Sequence, residues 1–145
     1  MLYTEQTKKA LKLCFEAHRD QTDKSGIPYV FHPFHLAEQM TDEVTTVTAL
    51  LHDVVEDTEI TLDDLRDMGF PAEAIEAIDL LTHREGVPYM TYVEAIRGNP
   101  TARAVKLADL RHNTDRTRLG PDRQNAPVTA KYGLYLQAIA CLEQE

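Results

Sequence analysis

The stretch Ala49–Thr58, ALLHDVVEDT, sets four ionisable side chains, His52, Asp53, Glu56 and Asp57, directly behind the apolar run Ala49, Leu50 and Leu51. A charge buried beside a core without a partner costs several kcal/mol or gives up its ionisation. On a helix, residues four apart share a face. His52 then stands in line with Glu56 and Asp53 with Asp57, in two columns about 100° apart. An imidazole nitrogen beside a carboxylate oxygen is a ligand pair for Zn, Mn or Fe, and a divalent cation offsets the crowding of the acids. A solvated acidic helix end accounts for EDTE as well, so the dipeptide alone leaves both readings open.

A second stretch, VKLADLRHN, places Lys106, Asp109 and Asn113 at the i, i+3, i+7 spacing of one helical face, interleaved with Val105, Leu107 and Ala108. Lys106 and Arg111 are expected on its solvated side, whereas Asp109, set between Ala108 and Leu110, is expected to face inward. In the third stretch, YVFHP, His32 precedes Pro33, which predicts an extended backbone that aims the imidazole from a fixed turn, or a His that caps the following helix. Nothing beyond residue type recommends His18 or His35. His83 and His112 are expected at the surface or as outer groups that orient ligands by hydrogen bonding.

The elements that must position these groups read as helices throughout. Ala10, Leu11, Cys14 and Ala17 repeat on one face between Thr4 and His18. QTDKSGIPYVFHP breaks that period, and Pro33 starts a short helix to about Met40. Asp42 caps the next, with Val44, Val47, Leu50 and Leu51 inward. TLDD at Thr61–Asp64 reads as a capping box, Gly69 as a stop and Pro71 as the next start. A further helix is predicted from about Thr91 to Arg97, and Asn99-Pro100 opens the one carrying VKLADLRHN. A loop with Pro and Gly follows. Val128, Tyr132, Tyr135, Leu136, Ile139 and Leu142 then mark a last amphipathic helix. No alternating strand, repeat or low-complexity linker stands out. The expectation is an all-α, single-domain bundle of about seven or eight helices over residues 1–145.

Composition narrows the class. The 145 residues are 43% hydrophobic and 27% charged, ordinary for a soluble globule of one domain. No apolar run is long enough for a membrane span, and MLYTEQTKKALKLC turns charged too early for a signal peptide. Cys14 and Cys141 fall on apolar faces near opposite ends, as reduced core thiols of a cytoplasmic protein would. A net charge of −9 argues against nucleic acid as a partner, while a small phosphorylated ligand stays open if a metal supplies positive charge. The oligomeric state is not written in these features.

Together, the HP at His32, the HD at His52-Asp53 and the LAD at Asp109 resemble the HD phosphohydrolase superfamily. KSGIPYVFHP, ALLHDVVEDT and VKLADLRHN, in that order, are most similar to the hydrolase domain of the RelA/SpoT alarmone enzymes and the small alarmone hydrolases. The resemblance implies a helical HD bundle in which His32, His52, Asp53 and Asp109 hold a divalent metal, Mn²⁺ being the expected ion. It implies that Glu56 and Asp57 activate the attacking water, and that Lys24, Ser25, Asn113 and Arg116 contact the nucleotide. The implied substrate is guanosine tetra- or pentaphosphate, which loses its 3′-diphosphate. Among the available cations (Lys24, Arg19, Lys106, Arg111 and Arg116), Lys24 ranks first because it lies close to His32 in sequence. Asp23 stands where these enzymes carry a base-stacking Arg or Lys, LADLRHNTDRT replaces LADRLHNMRT, and no synthetase region follows. The alternatives are an HD phosphohydrolase acting on a dNTP, a nucleoside monophosphate or NADPH, a nucleotide-sensing module without turnover, and a helical scaffold with a solvated acidic face.

Overall fold

Capping and turn chemistry divide the chain much as its pattern predicts. A computed structural model describes residues 1–119 and 127–144; the predicted loop with Pro and Gly falls largely on 120–126, outside the described residues. α1 (Glu5–His18) opens on a Thr4–Thr7 capping box, and α2 spans Phe31–Glu38. α3 (Glu43–Leu51) begins at Asp42, whose carboxylate accepts from Thr45 N at 2.8 Å, and α4 (Val54–Asp57) is a single turn behind it. α5 (Leu62–Asp67) carries the predicted box, Thr61 with Asp64. α6 (Ala72–Leu81) follows Pro71, α7 (Tyr89–Arg97) follows Pro88, α8 (Pro100–Asn113) is capped by Asn99, and α9 (Ala130–Glu143) is capped by Thr129. Arg116–Leu119 forms a 3-10 turn after α8. Taken with α3 as one interrupted helix, α4 leaves eight helices among the described residues, and none of those residues forms a strand. The all-α, single-domain expectation holds.

α3 is the hub. It packs on α1, α2, α6 and α8, and Val47, Ala49, Leu50 and Leu51 are fully buried. Each such leucine is worth about 1.5–3 kcal/mol of transfer free energy. Thr46 and Thr48 are buried too, and their hydroxyls return to the carbonyls one turn back, at 2.6 Å to Asp42 O and 2.7 Å to Val44 O. α8 lies against α3 on one side and α9 on the other.

Three local expectations are corrected. His32 is not extended: it sits in the first turn of α2 behind a helical Val30, and Pro33 fits there because first-turn N–H groups have no intrahelical acceptor to lose. The helix holding ALLHDVVEDT is not continuous, since it breaks at His52 and Asp53 (Asp53 φ −104, ψ −1), so the two ruled columns of the sequence argument are bent. On α9 the buried face is Ala138, Cys141 and Leu142, with Val128 62% and Leu136 46% exposed.

Candidate metal centre

Three helices deliver the cluster. α2 brings His32, the end of α3 brings His52 and α8 brings Asp109, with ligand atoms all within 4.8 Å of one another. All three residues are buried. His32 Nε2 lies 2.8 Å from Asp109 Oδ1, and His52 Nε2 lies 3.7 Å from the same oxygen. His52 is turned by its other nitrogen, since Nδ1 donates to Ala49 O at 2.7 Å and so aims Nε2 into the cluster. That Nε2 is 3.0 Å from Asp53 Oδ2, near enough for ion pairing yet without the alignment of a hydrogen bond, and it has no hydrogen-bond partner. A buried nitrogen left without a partner is costly, and a cation would satisfy it.

Outer groups hold the cluster. His32 Nδ1 faces His112 Nδ1 at 2.6 Å with the rings stacked, so the outer role predicted for His112 fits its position. Asn113 Nδ2 donates to Asp109 Oδ1 at 3.0 Å. The Tyr29 hydroxyl donates to Asp53 Oδ2. Lys106 corrects an expectation: its ammonium is not solvated but lies 2.9 Å from Asp109 Oδ2, nearly buried and facing the rings of Tyr89 and Tyr92. Two neighbouring helices, α7 and α9, close over the α8 face that a lone helix would expose. Arg111 does lie outside, paired with Glu143 at 3.0 Å.

Electrostatics follow from this packing. Burial alone would push His52 down, but the carboxylates of Asp53 and Asp109 outweigh it and hold the imidazole well above its ordinary pKa. Burial would raise Asp109, and Lys106 with the two histidines holds it well below the usual range. Burial, then Asp53, pushes the Tyr29 hydroxyl up, so it stays a donor. Asp57 is raised to about 6 by partial burial and by the charges of Asp53 and Glu56. Burial, then Arg118, lowers His112 to about 4.

Beside the cluster opens a cavity of about 310 Å³, lined by His52, Asp53, Glu56, His83, Tyr89, Tyr92, Lys106, Lys131 and Tyr135, among others. Glu56 Oε1 accepts from His83 N at 2.7 Å, which fixes it at the rim. Asp57 is not among the lining residues. Lys24 and Ser25 lie on the exposed 21–29 loop, where Ser25 Oγ donates to Arg118 O at 3.2 Å and Asp23 faces Arg118 at 3.4 Å. Arg116 sits 5.3 Å from the Tyr132 ring centre. None of Lys24, Ser25, Asn113 or Arg116 lines the cavity. Sequence reasoning passed over Lys131, Tyr89 and Tyr92 and read Tyr135 only as part of a helical face; it saw the Lys106 face but not what covers it.

No family model matches the chain. Among curated proteins, a GTP pyrophosphokinase of Streptomyces antibioticus is 37% identical over 120 residues, which is 74% of this chain and 14% of that protein. Human MESH1, named a guanosine-3′,5′-bis(diphosphate) 3′-pyrophosphohydrolase, is 35% identical over 109 residues, 66% of this chain and 60% of that one. The bifunctional (p)ppGpp synthase/hydrolase SpoT of Escherichia coli is 32% identical over 120 residues, 73% of this chain and 17% of SpoT. Over 66–74% of its length the chain is therefore similar to RelA/SpoT-type proteins. The chain thus spans only a small part of the long relatives and 60% of MESH1. A solved structure described as a metazoan ortholog of SpoT that hydrolyzes ppGpp has the same fold, with a TM-score of 0.76 and 21% identity, covering 99% of this chain and 88% of that one. Within the RelA/SpoT-type HD fold, the described residues therefore bring the HP, HD and LAD motifs to one buried point. Among the described residues, no helix is long and apolar enough to cross a membrane.

Proposed function

We propose that residues 1–145 form one metal-dependent HD phosphohydrolase domain that removes the 3′-diphosphate of guanosine tetra- or pentaphosphate as pyrophosphate. The observation that carries this reading is the convergence of His32, His52 and Asp109 around a buried His52 nitrogen without a hydrogen-bond partner, at the edge of a cavity that also holds Glu56 and two lysines. His32, His52, Asp53 and Asp109 are the assigned ligands, and the nitrogen and oxygen donors suit Mn²⁺ among borderline divalent ions. A bound divalent ion would supply Lewis acidity to a phosphoryl oxygen and to the attacking water.

The chain's own groups do the rest. Hydrolysis consumes one water and leaves a 3′-hydroxyl and pyrophosphate, so one proton must leave the water and one must reach the ribose oxygen. Glu56, pinned by the His83 amide, takes the first. Asp57, next to it in the chain, is assigned the second. Lys106 and Lys131 meet the phosphates, and the ring faces of Tyr89, Tyr92 and Tyr135 narrow the cavity against water. Lys24, Ser25, Asn113 and Arg116, on the His112 side of the cluster, are assigned to the base and the remaining phosphates. The acidic chain takes no nucleic acid in this reading, and two free, buried cysteines suit the cytoplasm.

A second substrate class, a dNTP, a nucleoside monophosphate or NADPH, is favoured by Asp23, which is turned to Arg118 rather than presented to a base. Incubation of Mn²⁺-loaded protein with guanosine tetraphosphate, dNTPs and NADPH, with each product identified, separates the readings. GDP plus pyrophosphate supports the proposal; release from another nucleotide only, or binding without product, overturns it.

A further inference from the structure

Asp53 is the assigned ligand that does not meet the ligand-atom spacing of the other three, and one contact explains where its carboxylate is held. The Tyr29 hydroxyl donates to Asp53 Oδ2, the same oxygen that lies 3.0 Å from His52 Nε2. Asp53 sits at the break between α3 and α4 with no side-chain cap bond of its own, so nothing in its local helix fixes its rotamer. Tyr29, by contrast, is fixed from several directions. Its amide donates to Gln21 O at 2.9 Å, its carbonyl accepts from His32 N at 2.9 Å, and Thr22 and Pro28 bridge behind it. Gly26 makes the return of this loop possible at φ +81, a conformation that side chains rarely adopt. The ring lies between His18, with centroids 5.0 Å apart, and His32, at 5.6 Å.

We propose that Tyr29 is a positioning residue that aims Asp53 Oδ2 at the metal centre through its hydroxyl. The inference rests on the metal reading of the site given above. Carboxylate ligands need an outer donor to hold one rotamer, and losing such a partner typically weakens metal binding about 10- to 100-fold. The loop carrying Tyr29 also carries Lys24 and Ser25. The same hydroxyl therefore ties the nucleotide-side loop to the metal side of the site.

Tyr29→Phe keeps the ring contacts and removes only the donor. In a Mn²⁺ titration followed by electron paramagnetic resonance, it should bind about 10- to 100-fold more weakly than wild type, and turnover should recover as Mn²⁺ is raised to saturation. Tyr29→Leu should lose similar affinity while also melting lower, since it gives up the ring. Adding Tyr29→Phe to Asp53→Asn should weaken Mn²⁺ no further, because the hydroxyl acts through that carboxylate. Wild-type affinity in Tyr29→Phe, with loss only in Tyr29→Leu, would make Tyr29 a packing residue and overturn the inference. So would additive losses in the double variant, or loss of helical circular dichroism in Tyr29→Phe. If wild type itself takes up no Mn²⁺, the metal reading fails first and the inference falls with it, a result unlike any of the others.

Discussion

His32, His52 and Asp109 are only 4%, 3% and 6% exposed, whereas Glu56 and Asp57, one turn along from His52-Asp53, and Lys131 on α9 stand in solvent. The buried wall has already given up hydration, and its other polar atoms are fixed by Ala49 O, His112, Asn113 and Lys106. Such a wall can hold an ion in one geometry but adapts poorly. The exposed wall keeps its water and its freedom, which suits groups that exchange protons or catch an incoming anion. In the proposed reading the two walls divide the work, fixed coordination on one side and traffic on the other.

That division can be broken experimentally. Glu56→Gln should leave Mn²⁺ binding intact and lower turnover by a factor on the order of 100 to 10,000, the range for a lost general base; unchanged turnover in a metal-replete assay would move water activation off the exposed wall. Lys131→Ala should raise KM about tenfold, a loss close to 1.4 kcal/mol of transition-state or substrate binding. Lys24→Ala should raise it less, because Lys24 lies on the exposed loop and does not line the cavity. Equal effects would mean that the loop closes over the substrate.

The smallest effect concerns pH. Asp57 titrates near 6 in the folded chain, against about 4 when unfolded. The folded state therefore binds the proton more tightly, and between those values stability falls as pH rises. Asp57→Asn should melt higher than wild type at pH 8 and level with it at pH 4, by differential scanning fluorimetry. A gain that is the same at both pH values would take Asp57 off the electrostatic account.

Much of the fold was legible because caps and breakers act locally. Asp42, Thr61 with Asp64 and Asn99 each bind an amide within three residues, so their sequence signature is their mechanism. The helical faces were legible where burial follows a simple period; on α9 the reading held for Leu142, and partly for Tyr135 and Ile139, and failed at Val128 and Leu136, since α7 and α8 select Ala138 and Cys141 beside Leu142. His32, His52 and Asp109, the group that could hold a metal, stood out because His and Asp beside apolar runs need a reason to be there. Lys106 was misplaced because its burial comes from Tyr89 and Tyr92, on another helix, and no spacing on α8 reports them. Lys131 escaped because a lysine on an amphipathic helix looks like ordinary surface, and Tyr135 because it was read only as part of that helix's apolar face. The break at His52-Asp53 was invisible because no Gly or Pro marks it between Ala49 and Thr58.

The central claim is that one divalent ion gathers α2, α3 and α8 at a single point. Quantitative Mn²⁺ binding to wild type and Asp109→Asn, with circular dichroism to confirm that both are folded, tests it most directly. The account predicts one tightly held Mn²⁺ per wild-type chain and none at the same concentration in Asp109→Asn. No stoichiometric Mn²⁺ in wild type, or equal occupancy in the two, would contradict it.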